Sequence, residues 1–232
     1  MSNYEVLNKN LHANIRLKPV DGYKFASAQH LVSLVYNEFS LATLHYPVVF
    51  VRASHESNIH PMALLGLEAE RNLFVDSAGN WKYGAYVPVA FRRYPFALTD
   101  VGEGETAICI MSQSSYFNYE EGELLIDSHG ESTPSMNKIV SFLQEITASE
   151  FLATKFCMHL DSLDLLAPCE FKITGPDGTK IYNGSLMVDS NKFASLKEDE
   201  FSNLRKLGYL DLIYAHINSL RQIDKLSALA SM

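Results

Sequence analysis

Residues 133–168 read TPSMNKIVSFLQEITASEFLATKFCMHLDSLDLLAP. Thr133 can cap a helix, and Pro134 is tolerated at the first helical position, where its missing N–H needs no partner. Behind this start the apolar residues recur at helical spacing, and they are Ile139, Val140, Leu143, Ile146, Phe151, Leu152, Phe156, Leu160 and Leu163. The stretch predicts one long amphipathic helix that ends near Leu166, before Pro168.

The sequence after this helix predicts a hairpin and further helices. Residues 170–174 and 180–188 flank Gly175-Pro176-Asp177-Gly178, in which Pro presets one turn dihedral and Gly accepts the left-handed one. Ser195-Leu196-Lys197-Glu198 fits a capping box for a helix that closes at Gly208. An apolar stripe indicates a final helix, through Leu210, Ile213, Ile217 and Leu220.

The sequence before the long helix is typical of strands. Residues 46–51 are β-branched and aromatic, and Pro47 stands at the start of the run, where a strand tolerates it. With this run, four more short apolar runs predict a five-stranded antiparallel sheet, and they are residues 62–67, 72–75, 94–98 and 106–111. Residues 37–42 predict a short helix capped by Asn37.

Together these patterns predict an α+β fold in one compact domain over residues 1–232. We expect an antiparallel sheet core in the β-rich half, residues 1–111. The helix-rich half, residues 133–232, contributes the long helix, the hairpin and the C-terminal helices. No repeat, low-complexity tract or linker divides the chain.

Charge is concentrated in one part of the chain. The 232 residues include 27 acidic and 19 basic side chains, a formal charge of −8. Residues 100–150, which we name the acidic stretch, hold ten acidic residues against one basic residue, Lys138, and so carry −9. A protein that binds nucleic acid by neutralising phosphates needs the opposite balance, so we expect no nucleic-acid partner.

The sequence also bears on location. It shows no basic segment followed by an apolar run at its start, and no stretch approaches the ~18 uninterrupted apolar residues of a membrane helix. Three cysteines, Cys109, Cys157 and Cys169, are too few for a disulfide scaffold and suit a reducing compartment. We expect a cytoplasmic protein with no membrane insertion.

Common catalytic motifs are missing. The sequence contains no Gly-x-Ser-x-Gly, Walker loop, Cys-x-x-Cys or His-Glu-x-x-His. His55 and His60 lie beside Glu56, but metal sites generally use three or four ligands, so we favour a solvated loop here. We expect no cofactor and no metal, and we favour a protein without catalytic activity.

Residues 81–96 have the most unusual local composition, WKYGAYVPVAFRRYPF. We name them the aromatic–arginine segment, because the single tryptophan, three tyrosines, two phenylalanines and an arginine pair lie within these sixteen positions. Aromatic rings and guanidinium groups together are typical of recognition surfaces. Two interpretations stay open: the segment forms a ligand or peptide groove, or its rings fill the core while Arg92 or Arg93 pairs with the acidic stretch.

Seven stretches together carry a resemblance to a known family. They are YPVVF (46–50), ALLGL (63–67), NLFVD (72–76), YVP (86–88), RRYPF (92–96), EGELL (121–125) and LIYAHINSL (212–220). In this order, and over about residues 23–226, they resemble bacterial SapC-like proteins. The resemblance implies a single SapC-like domain. The family is named after a surface-array (S-layer) associated protein, and many members look like accessory proteins beside TonB-dependent receptors and flavin-dependent halogenases. It implies no established reaction, so no catalytic residue is carried over.

In the last of these stretches, Tyr214 and His216 flank Ala215. Residues two apart on a helix do not share a face, so one of them packs inward while the other reaches a pocket. We weigh two interpretations of His216, a hydrogen-bonded core histidine and a binding residue.

Our functional hypothesis is an accessory protein that binds a protein or peptide partner. Arg92 or Arg93 would anchor a carboxylate, while Trp81 and Tyr94 would supply apolar contact. Acidic residues within 120–131 would attract basic partners. Tyr86 and His216 complete the candidate binding residues.

Two alternatives come from other classes of protein. One is a metal-assisted enzyme that uses His55, His60 or His216 with a nearby carboxylate. The other is a component of a surface layer, as the family name suggests.

Overall fold

A computed structural model describes residues 4–52, 58–102, 105–175 and 178–231. The strands are β1 (Tyr4–Val6), β2 (Arg16–Leu17), β3 (Leu31–Ser33), β4 (Val48–Arg52), β5 (Ile59–Leu64), β6 (Phe96–Gly102), β7 (Glu105–Met111), β8 (Phe117–Asn118), β9 (Glu123–Leu124), β10 (Leu166–Gly175) and β11 (Gly178–Val188). The helices are α1 (Phe39–Ala42), α2 (Val89–Arg92), α3 (Pro134–Ser162), α4 (Ser190–Ala194), α5 (Glu198–Lys206), α6 (Tyr209–Ser219) and α7 (Gln222–Ala230). The predicted α+β class, long helix, hairpin and C-terminal helices are confirmed.

The chain divides into two compact units, and each is discontinuous in sequence. Unit 1 comprises residues 1–22 and 91–148, and unit 2 comprises residues 23–90 and 149–232. The boundaries lie inside the β-rich and helix-rich halves rather than between them. The single-domain organisation over residues 1–232 stays a prediction.

Unit 1 contains two small antiparallel sheets. The strand orders are β1-β7-β6 and β8-β2-β9. Phe96 pairs with Ile110 across the first sheet, and both side chains are buried. The Phe96 ring meets Phe117 of β8 edge-on at 5.5 Å between centroids, a favourable aromatic geometry.

Unit 2 is built on a five-stranded antiparallel sheet in the order β10-β11-β4-β5-β3. Val48, Val49 and Phe50 of β4 are fully buried, which explains why this strand is a continuous apolar run rather than an alternating one. The hairpin joins the sheet where Leu186 of β11 pairs with Phe50. Phe156 of α3 packs edge-on against Phe39 of α1, with centroids 5.7 Å apart.

The predicted strand at residues 72–75 is wrong. Asn72 Nδ2 donates to the Ala26 carbonyl at 3.1 Å, and Asn72 Oδ1 accepts from the Phe74 N–H at 2.9 Å. An asparagine that bonds nearby backbone in this way offers the chain an alternative to a strand ladder. The segment keeps a single bridge, from Val75 to Trp81.

The remaining predicted strands exist but do not form one sheet. β4 and β5 belong to unit 2, whereas β6 and β7 belong to unit 1. Local patterns predict strands and not their partners, and the partners here come from distant sequence.

Helix ends also differ from the predictions. α3 ends at Ser162 and not near Leu166 as predicted, and Leu166 is instead the first residue of β10. The capping box is at Lys197, whose N–H donates to Glu200 Oε2 at 3.0 Å, rather than at Ser195. Asn37 lies inside a short 3-10 turn and caps nothing by its side chain. Gly208 closes α5 as predicted, with a φ of 73°.

None of the helices within the described ranges combines the length and the apolar character needed to cross a bilayer.

Candidate functional site

A groove with a volume of about 350 Å³ opens on unit 2. Its walls are Leu44 and His45 after α1, residues 82–85 of the aromatic–arginine segment, and one face of α7. Phe74 and Leu226 form its floor and are buried. Four residues near the start of the predicted recognition segment therefore line a groove, and we name these residues, 82–85, the wall loop.

Trp81 fixes the first end of the wall loop. Its indole meets the Tyr23 ring edge-on at 5.5 Å and stacks on the Phe74 ring at 6.3 Å. The Lys82 N–H donates to the Phe74 carbonyl at 2.8 Å. Trp81 thus couples the wall to the floor, and it serves as an anchor beside the groove rather than as part of its lining.

Tyr86 fixes the second end. Its hydroxyl donates to Glu38 Oε2 at 2.9 Å, and its carbonyl accepts a short hydrogen bond from the Tyr46 hydroxyl. Tyr46 is fully buried. Burial raises the pKa of Tyr46 far above its ordinary value, with the neighbouring Tyr86 and Glu38 acting in the same direction. Tyr46 therefore stays a neutral hydrogen-bond donor.

Glu38 is a buried carboxylate that organises this second anchor. It is 4% exposed and accepts three hydrogen bonds. The Val35 N–H donates to Oε1 at 3.0 Å, and the Val89 N–H donates to Oε2 at 2.7 Å. A buried charge is tolerated only when its lone pairs are satisfied, as they are here. Sequence reasoning missed Glu38, because Val35 has no side-chain acceptor and the stretch therefore lacks the Ser/Thr-x-x-Glu pattern of a capping box.

The lips of the groove are apolar and exposed. Leu44 is 64% exposed, and Tyr83 is fully exposed. Gly84 has a φ of 76°, and the Ala85 N–H donates to the Lys82 carbonyl at 3.0 Å, so a tight turn presents Tyr83. On the opposite side, Gln222 Nε2 of α7 donates to the Leu44 carbonyl at 3.1 Å.

The charged groups of the groove are basic. Lys82 and Lys225 are exposed, His45 is partly buried, and no acidic residue is among those that line the groove. Burial lowers the pKa of His45, and the nearby Lys225 ammonium lowers it further. The charged side chains that line the groove are therefore basic, in contrast to the chain's net negative charge.

His216 lies in the core and does not line the groove. Its Nε2 accepts from the Val188 N–H at 3.0 Å, and its ring packs 4.8 Å from the Phe50 ring centroid. Burial lowers the pKa of His216 to about 3. The geometry corresponds to a neutral core histidine, while Tyr214 on the same helix is half-exposed.

The arginine end of the aromatic–arginine segment belongs to unit 1. The Tyr94 hydroxyl donates to Met111 Sδ at 3.6 Å, and its ring meets Tyr116 edge-on at 6.1 Å. Arg92 is exposed and Arg93 is partly buried. None of these side chains lines the groove, so the structure places Trp81 and Tyr86 together and leaves Arg92, Arg93 and Tyr94 elsewhere.

The hypothesis of a metal-assisted enzyme depends partly on residues that the structure does not describe. His55 and Glu56 lie in the undescribed range 53–57, and His60 stands in β5 opposite Val51. Over the described ranges no group of three or more His, Cys, Asp or Glu side chains is arranged to hold a metal ion.

The acidic residues between 120 and 131 are partly used within unit 1. Glu121 pairs with Lys18 at 2.5 Å, and Asp127 Oδ1 accepts from the His129 and Glu131 N–H groups. The Glu131 N–H bond is the main cause that lowers the pKa of Asp127. These carboxylates organise a loop of their own unit, and their attraction of basic partners stays a prediction.

Comparison with known proteins identifies a family. A family model described as SapC matches residues 7–226 of the 232-residue chain. No curated protein and no solved structure matches it. The family match confirms the resemblance drawn from the sequence.

Proposed function

This chain belongs to the SapC family over residues 7–226, and from that premise we propose that it is an accessory protein that binds a segment of a partner protein in the unit 2 groove. The observation that carries the proposal is the pair of exposed apolar lips, Leu44 and Tyr83, above an apolar floor. Exposed apolar side chains grouped at a concave surface are typical of interaction sites.

The anchoring of the wall loop supports the same function. Trp81 and Tyr86 hold its two ends by ring packing and by the buried Glu38 carboxylate. A groove that is formed before the partner arrives avoids the entropic cost of ordering it during binding. The loop exposes Tyr83, a residue type that supplies large contact area with few rotatable bonds.

The wider setting is part of the proposal. The family resemblance favours a bacterial cytoplasmic accessory role linked to TonB-dependent uptake or flavin-dependent halogenases. The free cysteines Cys109, Cys157 and Cys169, all buried, are compatible with a reducing compartment.

Panning a random 12-residue peptide display library on the purified protein tests the groove directly. We expect enriched peptides whose affinity falls at least tenfold for Leu44→Asp, because a buried carboxylate would oppose apolar contact. Leu41→Asp is the matched control, since Leu41 is also an exposed leucine of the α1 region but does not line the groove. Failure to enrich any peptide, or equal binding to both variants, would contradict the proposal.

A further inference from the structure

The groove is lined by basic groups although unit 2 as a whole has a negative formal charge. This unit contains sixteen acidic and thirteen basic residues, a formal charge of −3. The groove nevertheless presents Lys82 on the wall loop and Lys225 on α7, with His45 between α1 and β4. Salt screens charges over about 8 Å at physiological ionic strength, so a bound segment is influenced more by the cations that line the groove than by the distant acidic residues of unit 2.

The two lysines belong to different walls of the groove, the wall loop and α7. Lys82 follows the Trp81 anchor, and Lys225 lies one residue before Leu226, which forms the floor. If a partner segment packs an apolar side chain on Phe74 and Leu226, the residues that flank this side chain would therefore lie near the two lysines. Carboxylates at those flanking positions would be complementary to the groove.

We propose that the groove selects an acidic segment, in which aspartate or glutamate flanks an apolar anchor residue, and this inference rests on the proposed function. The apolar floor contributes most of the affinity, and Lys82 and Lys225 contribute the preference for acidic over neutral segments. Exposed ion pairs contribute roughly two- to fivefold in affinity each, so the pair supports a preference of about tenfold.

Peptide display with charge variants tests this inference. Wild-type protein and Lys82→Gln/Lys225→Gln are panned against the same random 12-residue library. We expect peptides enriched on the wild type to contain more Asp and Glu than the input library, next to Leu, Phe or Trp. The double variant should lose the acidic bias, while Lys206→Gln, an exposed lysine of α5 outside the groove, should keep it.

A quantitative comparison completes the test. For the strongest wild-type peptide, replacing its acidic residues with Gln or Asn should weaken binding about tenfold to the wild type and less than twofold to the double variant. The pKa of His45, followed by NMR titration, should be higher with the acidic peptide bound than with its Gln or Asn counterpart, because both peptides add burial and only the carboxylates offset the field of Lys225. A purely apolar mode of binding would not produce that difference.

The outcomes separate the two proposals. Enriched peptides without acidic bias overturn the charge preference and leave partner binding intact. No enriched peptide at all overturns partner binding, and with it the preference. Phosphatidylglycerol vesicles, with phosphatidylcholine vesicles as control, provide a third arm: lysine-dependent vesicle binding without peptide binding would identify an anionic lipid surface as the occupant and overturn the inference.

Discussion

The two ends of the aromatic–arginine segment have similar composition and different structural roles. Residues 81–86 belong to unit 2 and hold the wall of a groove between two anchors. Residues 92–94 belong to unit 1, where Tyr94 packs against Tyr116 and Met111. The difference teaches that composition singled out the whole segment, while the hydrogen bonds of Glu38 and the packing of Trp81 hold only its first part beside a groove.

The two regions also differ in the cations that they would offer to a partner's carboxylate. The sequence-based hypothesis assigned the carboxylate anchor to Arg92 or Arg93. The groove offers Lys82 and Lys225, which are 143 positions apart in sequence and line the same groove because it is built from both the wall loop and α7.

The largest effect should come from removing the carboxylate of the second anchor. Glu38→Ala leaves the Val35 and Val89 N–H groups and the Tyr86 hydroxyl without this acceptor. We expect the free energy of unfolding to fall by about 4 kcal/mol, because buried unsatisfied donors are costly. Urea denaturation measures this, and Glu120→Ala, at an exposed position, should change stability by less than about 0.5 kcal/mol. A loss of similar size in both variants would contradict the role of Glu38.

Acid should weaken unit 2 through its buried histidine. Burial holds the pKa of His216 at about 3 in the folded protein, against about 6.5 when unfolded, so the unfolded state binds the proton first. The stability from keeping His216 neutral is present above pH 6.5 and is lost as the pH falls towards 3. Between pH 6.5 and 4.5 we expect a loss of about 2 kcal/mol.

The matched variant for this pH dependence is His216→Gln, which retains an acceptor for the Val188 N–H. Its free energy of unfolding should depend less steeply on pH over the same range, with a slope smaller by up to about 1.4 kcal/mol per pH unit. Parallel pH profiles for wild type and variant would show that His216 does not titrate as its burial requires.

A smaller effect should follow from removing one hydroxyl of the anchor. Tyr86→Phe deletes the donor to Glu38 and keeps the ring. We expect a loss of about 1.5 kcal/mol, the size typical of a hydrogen bond to a charged group. Tyr83→Phe, whose hydroxyl lies on a fully exposed side chain, should leave thermal and urea stability unchanged. Equal stability of both variants would contradict the role of Tyr86 in anchoring the wall loop.

The smallest effect concerns the other end of the segment. Arg92→Ala combined with Arg93→Ala should leave the affinity of the strongest display peptide within about twofold, since neither side chain lines the groove. Isothermal titration calorimetry provides the measurement. A tenfold loss would restore the arginine pair as the carboxylate anchor and contradict the assignment to Lys82 and Lys225.

Some elements could be predicted because their cause is local. β4 is a continuous apolar run, and all three residues Val48, Val49 and Phe50 are buried. Pro134 begins α3 as its missing N–H allows, and Gly208 closes α5 in the left-handed conformation. These features depend on neighbours in sequence, so a single sequence contains their signal.

Other features depend on partners that lie far away along the chain. The hairpin β10–β11 joins β4, and α7 packs beside the wall loop, through contacts that no local pattern encodes. The strand predicted at residues 72–75 does not form, and there the Asn72 side chain donates a hydrogen bond to the distant Ala26 carbonyl. The groove combines residues 44–45, 82–85 and α7, so composition could indicate the wall loop with its lip Tyr83, but neither the second lip, Leu44, nor the floor.

The most direct test of the account is to locate a bound peptide by covalent capture. The strongest display peptide, carrying benzoylphenylalanine in place of its apolar anchor, is photolysed with the wild-type protein, and the adducts are mapped by mass spectrometry. We predict adducts on the wall loop and on α7, which competition with unlabelled peptide removes. Adducts concentrated on residues 91–98 or 105–125 of unit 1 would contradict the central claim that the unit 2 groove is the partner site.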